Sequence, residues 1–165
     1  MGELVSTRML IETASHLAVI VAIPFFFLQQ NADRDSRREA SSMEFIMLAN
    51  DKYSDVISTL SKPWESVNIA DLLKNNPTKE GVAQAKFAIT ESVLDSDIEK
   101  VAEFYKSVLI CRRAKHCDQK LIDDFFRTNI VGFYCSYDVR LDRIASRLNR
   151  PDYATDLQAY AGRCA

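Results

Sequence analysis

The sequence predicts an all-α protein with one N-terminal transmembrane helix, a juxtamembrane helix and a small antiparallel helical bundle. Three observations predict it. Leu17 to Leu28 reads LAVIVAIPFFFL, twelve apolar residues without a charge. From Ser41 onward apolar residues recur at steps of three and four, and no alternating strand pattern of useful length occurs. Only four glycines and four prolines punctuate 165 residues, which favours long helices. The expected division is 1–30 for the anchor, 31–62 for the juxtamembrane helix and 63–165 for the bundle.

Twelve residues are too few to span a membrane. A helix rises about 1.5 Å per residue, so a core of ~30 Å takes roughly 20 residues. Extension back to Met9 gives twenty residues and admits Glu12, Thr13, Ser15 and His16. Glu12 and His16 are spaced i,i+4 and share a helix face. Two readings stand: a polar pair within the membrane, serving a proton site or a helix contact, or two side chains snorkelling to the headgroups, the more ordinary case. Pro24 removes one backbone bond and kinks the helix. A buried helix of a soluble protein is a competing reading of this run. A cleavable signal peptide is another, but it would need a basic start and a small-x-small site, and this segment has only Arg8 before it and Gln30 two residues ahead of Ala32. The opening MGELVS fits a myristoylation pattern loosely, and we read that as chance. Arg34, Arg37 and Arg38 follow the segment against Arg8 before it, so the positive-inside bias puts the C-terminal side in the cytoplasm.

The elements after the anchor follow in order. NADRDSRREA is a charged collar, and Asp33 with Arg37 at i,i+4 lets the helix continue through it. Contact of its arginines with anionic lipid is a second reading, weakened by the interleaved acids. Met43, Ile46, Asn50, Tyr53, Ile57 and Leu60 step by heptad intervals. They could form an oligomer seam with Asn50 fixing register, although Phe45, Met47 and Val56 widen the stripe toward a globular core. Pro63 stops this helix, a short helix is expected from Glu65 to Lys74, KNNPTKEG is a turn, and Glu80 to Thr90 is weakly helical. Ser96 and Glu99 form a capping-box pattern for a helix that ends at Arg112 and Arg113. Asp118 caps the next helix, whose aromatic-rich face carries Leu121, Ile122, Phe125, Phe126, Ile130, Tyr134, Tyr137, Leu141, Ile144 and Leu148; core packing is the default explanation of this face and a ligand pocket the minority one. Arg140, Arg143, Arg147 and Arg150 read as a solvated or lipid-facing strip beside it, and Pro151 opens a final helix ending near Cys164.

Composition bounds the function. Hydrophobic residues make up 47% and charged residues 27%, as in a folded chain. The net charge of −2 gives no basic excess, so nucleic acid is not an expected partner. Four cysteines occur: Cys111, Cys117, Cys135 and Cys164. Cys111 and Cys117 bracket CRRAKHC and would close a small disulfide ring in an exported domain, or stay thiols in the cytoplasm, which the arginine bias favours. His116 beside Cys117 suggests zinc, but the spacing is wrong and no second pair follows, so no metal and no cofactor are expected.

The stretch EFYKSVLICRRAKHCDQKLIDDFF, through Glu103, Phe104, Leu109, Asp118, Leu121, Phe125 and Phe126, resembles a domain-of-unknown-function family of small bacterial single-pass membrane proteins with a helical soluble domain. The anchor followed by Gln29, Gln30 and arginines is similar too. The loop departs from the pattern, since RRAKHC lacks a glycine. The resemblance implies a bacterial inner-membrane location and this topology; it implies no activity.

An enzyme is not expected. Only two histidines occur, no glycine-rich phosphate loop or metalloprotease motif is present, and Asp123 and Asp124 are adjacent, pointing apart on a helix. The leading expectation is a membrane-anchored protein-interaction or accessory module, with the bilayer and a protein partner or a second copy as its contacts. The alternative is a membrane-acting toxin or defence component that oligomerises through its anchor, motivated by Glu12, His16 and Pro24.

Overall fold

A computed structural model describes residues 26–164. They form helices without a strand among them. The expected anchor, with Glu12, His16 and Pro24, lies almost wholly outside the described residues. Only Phe26, Phe27 and Leu28 of the apolar run fall within them, exposed at the start of a helix. Among the described residues no helix is long and apolar enough to cross a membrane.

The first helix, α1, runs over 26–48, passes through a π-helical turn at Ala49–Tyr53 and continues as α2, Ser54–Ser61. Its first part, through residue 37, is exposed on every side. Its second part is buried against the bundle. A π turn accommodates one extra residue, so the upstream half shifts by one position against the heptad pattern. Ser42 and Ala49 are buried where Met43 and Asn50 were expected, and those two are exposed. The seam residues therefore do not form one free stripe: Ile46 and Leu60 join the bundle core, and Tyr53 stacks on Phe104 at 4.3 Å between ring centroids. The boundary expected after residue 62 likewise separates no second core, because Ile46, Ala49 and Leu60 share theirs with the later helices.

A 3-10 turn at Lys62–Trp64 ends this run. The expected helix at Glu65 instead begins later, as α3, Ile69–Asn75, because Asn68 supplies the cap and accepts from the backbone N–H groups of Ala70 and Asp71. The segment read as weakly helical is a full helix, α4, Lys79–Ile89, capped by Thr78, whose hydroxyl accepts from the Gly81 N–H. α5, Asp95–Arg113, and α6, Gln119–Arg147, form the central antiparallel hairpin, and α7, Thr155–Ala161, packs on both. Asp118 caps α6 as expected, accepting from the Leu121 N–H at 2.8 Å. The capping box at Ser96 does not form. Ser96 sits inside the first turn of α5, and the acids there turn to α6, Glu99 pairing with Arg147 and Asp95 with Arg140.

The core gathers Ile98, Tyr105, Val108, Ile122, Phe126, Ile130, Tyr137, Leu141, Ile144, Tyr153 and Leu157. Each large apolar side chain buried this way contributes roughly 1.5–3 kcal/mol. Aromatic rings meet mostly edge to face, as between Phe104 and Phe126 or Tyr105 and Phe133. Phe125 and Leu148, expected on the core face, stay substantially exposed at either end of α6. The Tyr137 hydroxyl donates to the Leu60 carbonyl at 2.6 Å, fastening the end of α2 to the middle of α6. Arg140 is not part of a solvated strip. It is buried, and it donates to the Thr90 and Val93 carbonyls and to Asp95. The loop joining α4 to α5 needs those donors, since backbone carbonyls taken from water require partners.

All four cysteines are paired, Cys111 with Cys117 and Cys135 with Cys164. The first pair closes the α5–α6 loop. The second ties the C-terminal tail to α6.

Candidate functional site

Three places in this fold bring chemistry-bearing residues together. The first is the junction where α1 enters the bundle. α1 and α2 run antiparallel to α5: Arg38 meets Lys115 beyond the end of α5, while Ile57 and Leu60 share a groove with Val101 near its start. The disulfide-closed loop therefore stands at the pole of the bundle from which α1 projects. Arg38 donates from Nε to the Lys115 carbonyl at 2.9 Å. The Asp118 N–H donates to Ser42 Oγ at 2.8 Å and to the Arg38 carbonyl at 3.2 Å. Lys115 holds a left-handed backbone with φ of 58°, the place where a glycine is missing from the loop. Helices commonly end on such a residue, usually glycine. Cys111 and Cys117 thus serve as a clamp on a loop that grips the outgoing helix, and Cys117 and Ser42 are buried in that contact.

The second place is a groove of about 380 Å³ between the end of α2 and the α5–α6 hairpin. Its floor is Tyr105, Phe133 and Tyr137, with Trp64 on one wall and the hydroxyls of Thr128 and Ser136 at the rim. The Trp64 ring meets Tyr137 edge to face at 6.4 Å, and its buried indole N–H has no acceptor among the described residues. Burial raises the Tyr137 phenol above its ordinary value, offset in part by the charge of Arg140. Gly132 opens the groove: a Cβ placed there would touch nothing within 4 Å. A volume of this size is in the range of small-ligand and side-chain pockets.

A third cluster is structural. Arg112 holds Asp123 through two parallel bonds of 2.8 Å, and the Tyr160 hydroxyl donates to the same carboxylate. The Arg112 bonds hold the Asp123 carboxyl below the usual carboxylate range against the opposing effect of burial, and Tyr160 is pushed up to about 12, by burial first and then by Asp123. A depressed carboxyl gives stability that is full above its unfolded pKa of about 4 and is lost as pH falls through the folded value. Asp123→Asn is therefore expected to cost about 1 kcal/mol at neutral pH and to flatten the acid limb below about pH 4, read from thermal unfolding against pH. An unchanged acid limb would remove this network as its source.

Of the residues singled out from sequence, Cys111 and Cys117 stand at the junction, the seam residues are divided between core and surface, and Glu12 and His16 lie outside the described residues. Sequence reasoning missed the groove, because Trp64, Gly132 and Tyr137 come from separate segments and only the fold joins them. It also missed the Cys135–Cys164 bridge, whose partners lie 29 positions apart. Among the described residues no cluster of three or more His, Cys, Asp or Glu could hold a metal ion. Comparisons with protein-family models, with characterised proteins and with solved structures found no match.

Proposed function

We propose that the chain is a single-pass, membrane-tethered binding module whose helical domain faces an oxidising compartment. In a bacterial inner membrane that compartment is the periplasm. The observation that carries this reading is the helix running from residue 26 to Ser61 without a break. Its first third is exposed and leads back to the apolar run; the rest packs on the bundle core. Such a helix sets a rigid distance and direction between bilayer and domain, which suits display more than turnover. The two disulfides support the side. Disulfides persist in oxidising compartments and are rare in a reducing cytoplasm. That consideration outweighs the arginine bias, which is a statistical preference resting here on three residues against one.

The binding surface in this reading is the groove beside Trp64, with the partner presenting an apolar side chain or short apolar segment. A photoreactive phenylalanine in place of Gly132, in the full chain and in native membranes, tests it, because the groove has open space at that position. Irradiation is expected to join the chain to one protein species, whereas the same group at the exposed Glu80 on α4 does not capture it. Recovery of the uncrosslinked chain alone from position 132 would contradict the interaction reading.

A further inference from the structure

The junction of α1 with the disulfide-closed loop carries more charge than a mechanical clamp needs. Arg34, Arg37, Arg38 and Ser41 line one side of a cleft of about 510 Å³, and Ala114, Lys115 and His116 line the other. Helical steps of about 100° place those three arginines and Ser41 within an arc of roughly 100°, and put Asp33, Asp35 and Glu39 outside it. Of the interleaved acids that weaken the collar when it is read as a string, Asp33 and Glu39 thus lie outside the arc that faces the cleft. Asp35 reaches one edge and pairs with Arg38 at 3.3 Å. Arg34, Arg37 and Lys115 form no ion pair with another described residue. All three are exposed.

The position of the cleft matters as much as its charge. Arg34 is six residues beyond Leu28 and Arg38 ten, or about 9 and 15 Å along a helix. The field of an anionic bilayer surface decays over about 8 Å at physiological ionic strength. The Arg38 side-chain bond to the Lys115 carbonyl, and the Asp118 N–H bonds to Ser42 Oγ and the Arg38 carbonyl, hold Lys115 at that height, so its ammonium adds to the cations of the stalk.

We propose that this cleft binds the phosphate of an anionic lipid headgroup and so seats the domain on the bilayer surface. The inference rests on the membrane tether proposed above. The chemistry required is a phosphate-bearing anion. The height of the cleft above the apolar run favours a headgroup over phosphate free in solution.

The test uses the full chain mixed with phosphatidylcholine vesicles, alone or with phosphatidylglycerol, and reads two quantities. Flotation with the vesicles reports the tether. The rate of Lys115 acetylation, measured against Lys79 on α4 at the far side of the bundle, reports the cleft. The chain is expected to float with both vesicle types, and Lys115 to react about fivefold more slowly with phosphatidylglycerol present, the factor for one cation at an anionic surface. Arg37→Gln should weaken that protection while flotation stays unchanged, and raised salt should remove it. Flotation with equal Lys115 rates in both vesicles would overturn the cleft and leave the tether standing. Failure to float with neutral vesicles, but binding and protection with anionic ones, would support the cleft and overturn the tether. Equal protection by inorganic phosphate with neutral vesicles would overturn the lipid as ligand.

Discussion

Arg140→Met is expected to destabilise the domain by about 3–5 kcal/mol, the range for breaking a buried, hydrogen-bonded charge. The Arg140 side chain is 8% exposed. Its Nη1 donates to the Thr90 carbonyl at 2.5 Å, and its Nη2 to the Val93 carbonyl at 2.9 Å. Nε and Nη2 both reach Asp95 Oδ1, and the guanidinium lies 5.5 Å from the centre of the Phe87 ring. Methionine fills much of the volume but leaves the Val93 carbonyl without this donor, the Thr90 carbonyl with only the Val93 N–H and Asp95 with only Arg147. Arg140→Lys should recover little, because one ammonium cannot serve the same fork of acceptors. Arg143→Met, on the exposed side of the same helix, should change stability by less than about 1 kcal/mol. Denaturant unfolding of the full chain in neutral detergent checks all three. A loss below 1 kcal/mol for Arg140→Met would show that the α4–α5 loop holds its form without the guanidinium.

The second large effect is expected at Cys135–Cys164. Its partners are separated by 29 residues, against 6 for Cys111–Cys117. Loop-closure entropy grows with separation, so on the chain-entropy account the long bridge contributes about 3.6 kcal/mol and the short ring about 2.2. Replacing Cys135 and Cys164 by alanine should therefore lower the denaturant midpoint more than replacing Cys111 and Cys117. The two replacements also differ in kind. Loss of the long bridge frees the tail after α7, whereas loss of the short ring loosens Lys115 and Asp118 from Arg38 and Ser42. Protection of the Asp118 amide from hydrogen exchange should fall only in the second case. Equal midpoint shifts would mean that native packing, not the unfolded chain, sets the contribution of each bridge.

What could be read from the sequence was local. The Asp118 cap, the helix ending at Arg113 and the apolar face of α6 each depend on residues within a few turns of one another, and these features match the structure apart from Phe125 and Leu148 on that face. What could not be read depends on partners far apart. Arg140 looks like one of four similar arginines until the α4–α5 loop folds over it. Ser96 and Glu99 carry a capping-box pattern, yet α6 offers Glu99 a better partner in Arg147. The π turn at Ala49–Tyr53 has no sequence signature, and its one extra residue was enough to exchange Asn50 for Ala49 at a core position. The groove was hidden for the same reason as Arg140. The cleft at the loop was half visible, since the arginines of the collar could be seen but not the loop that faces them.

The central claim is that a membrane-tethered domain folds on the oxidising side. It is tested most directly by mapping the cysteines without reduction. Carbonate-washed membranes from cells making the chain would be alkylated, digested and analysed by mass. The account predicts the chain in that fraction with all four cysteines unmodified, in peptides joined as Cys111–Cys117 and Cys135–Cys164. Four alkylated thiols, or a chain washed from the membrane by carbonate, would contradict it.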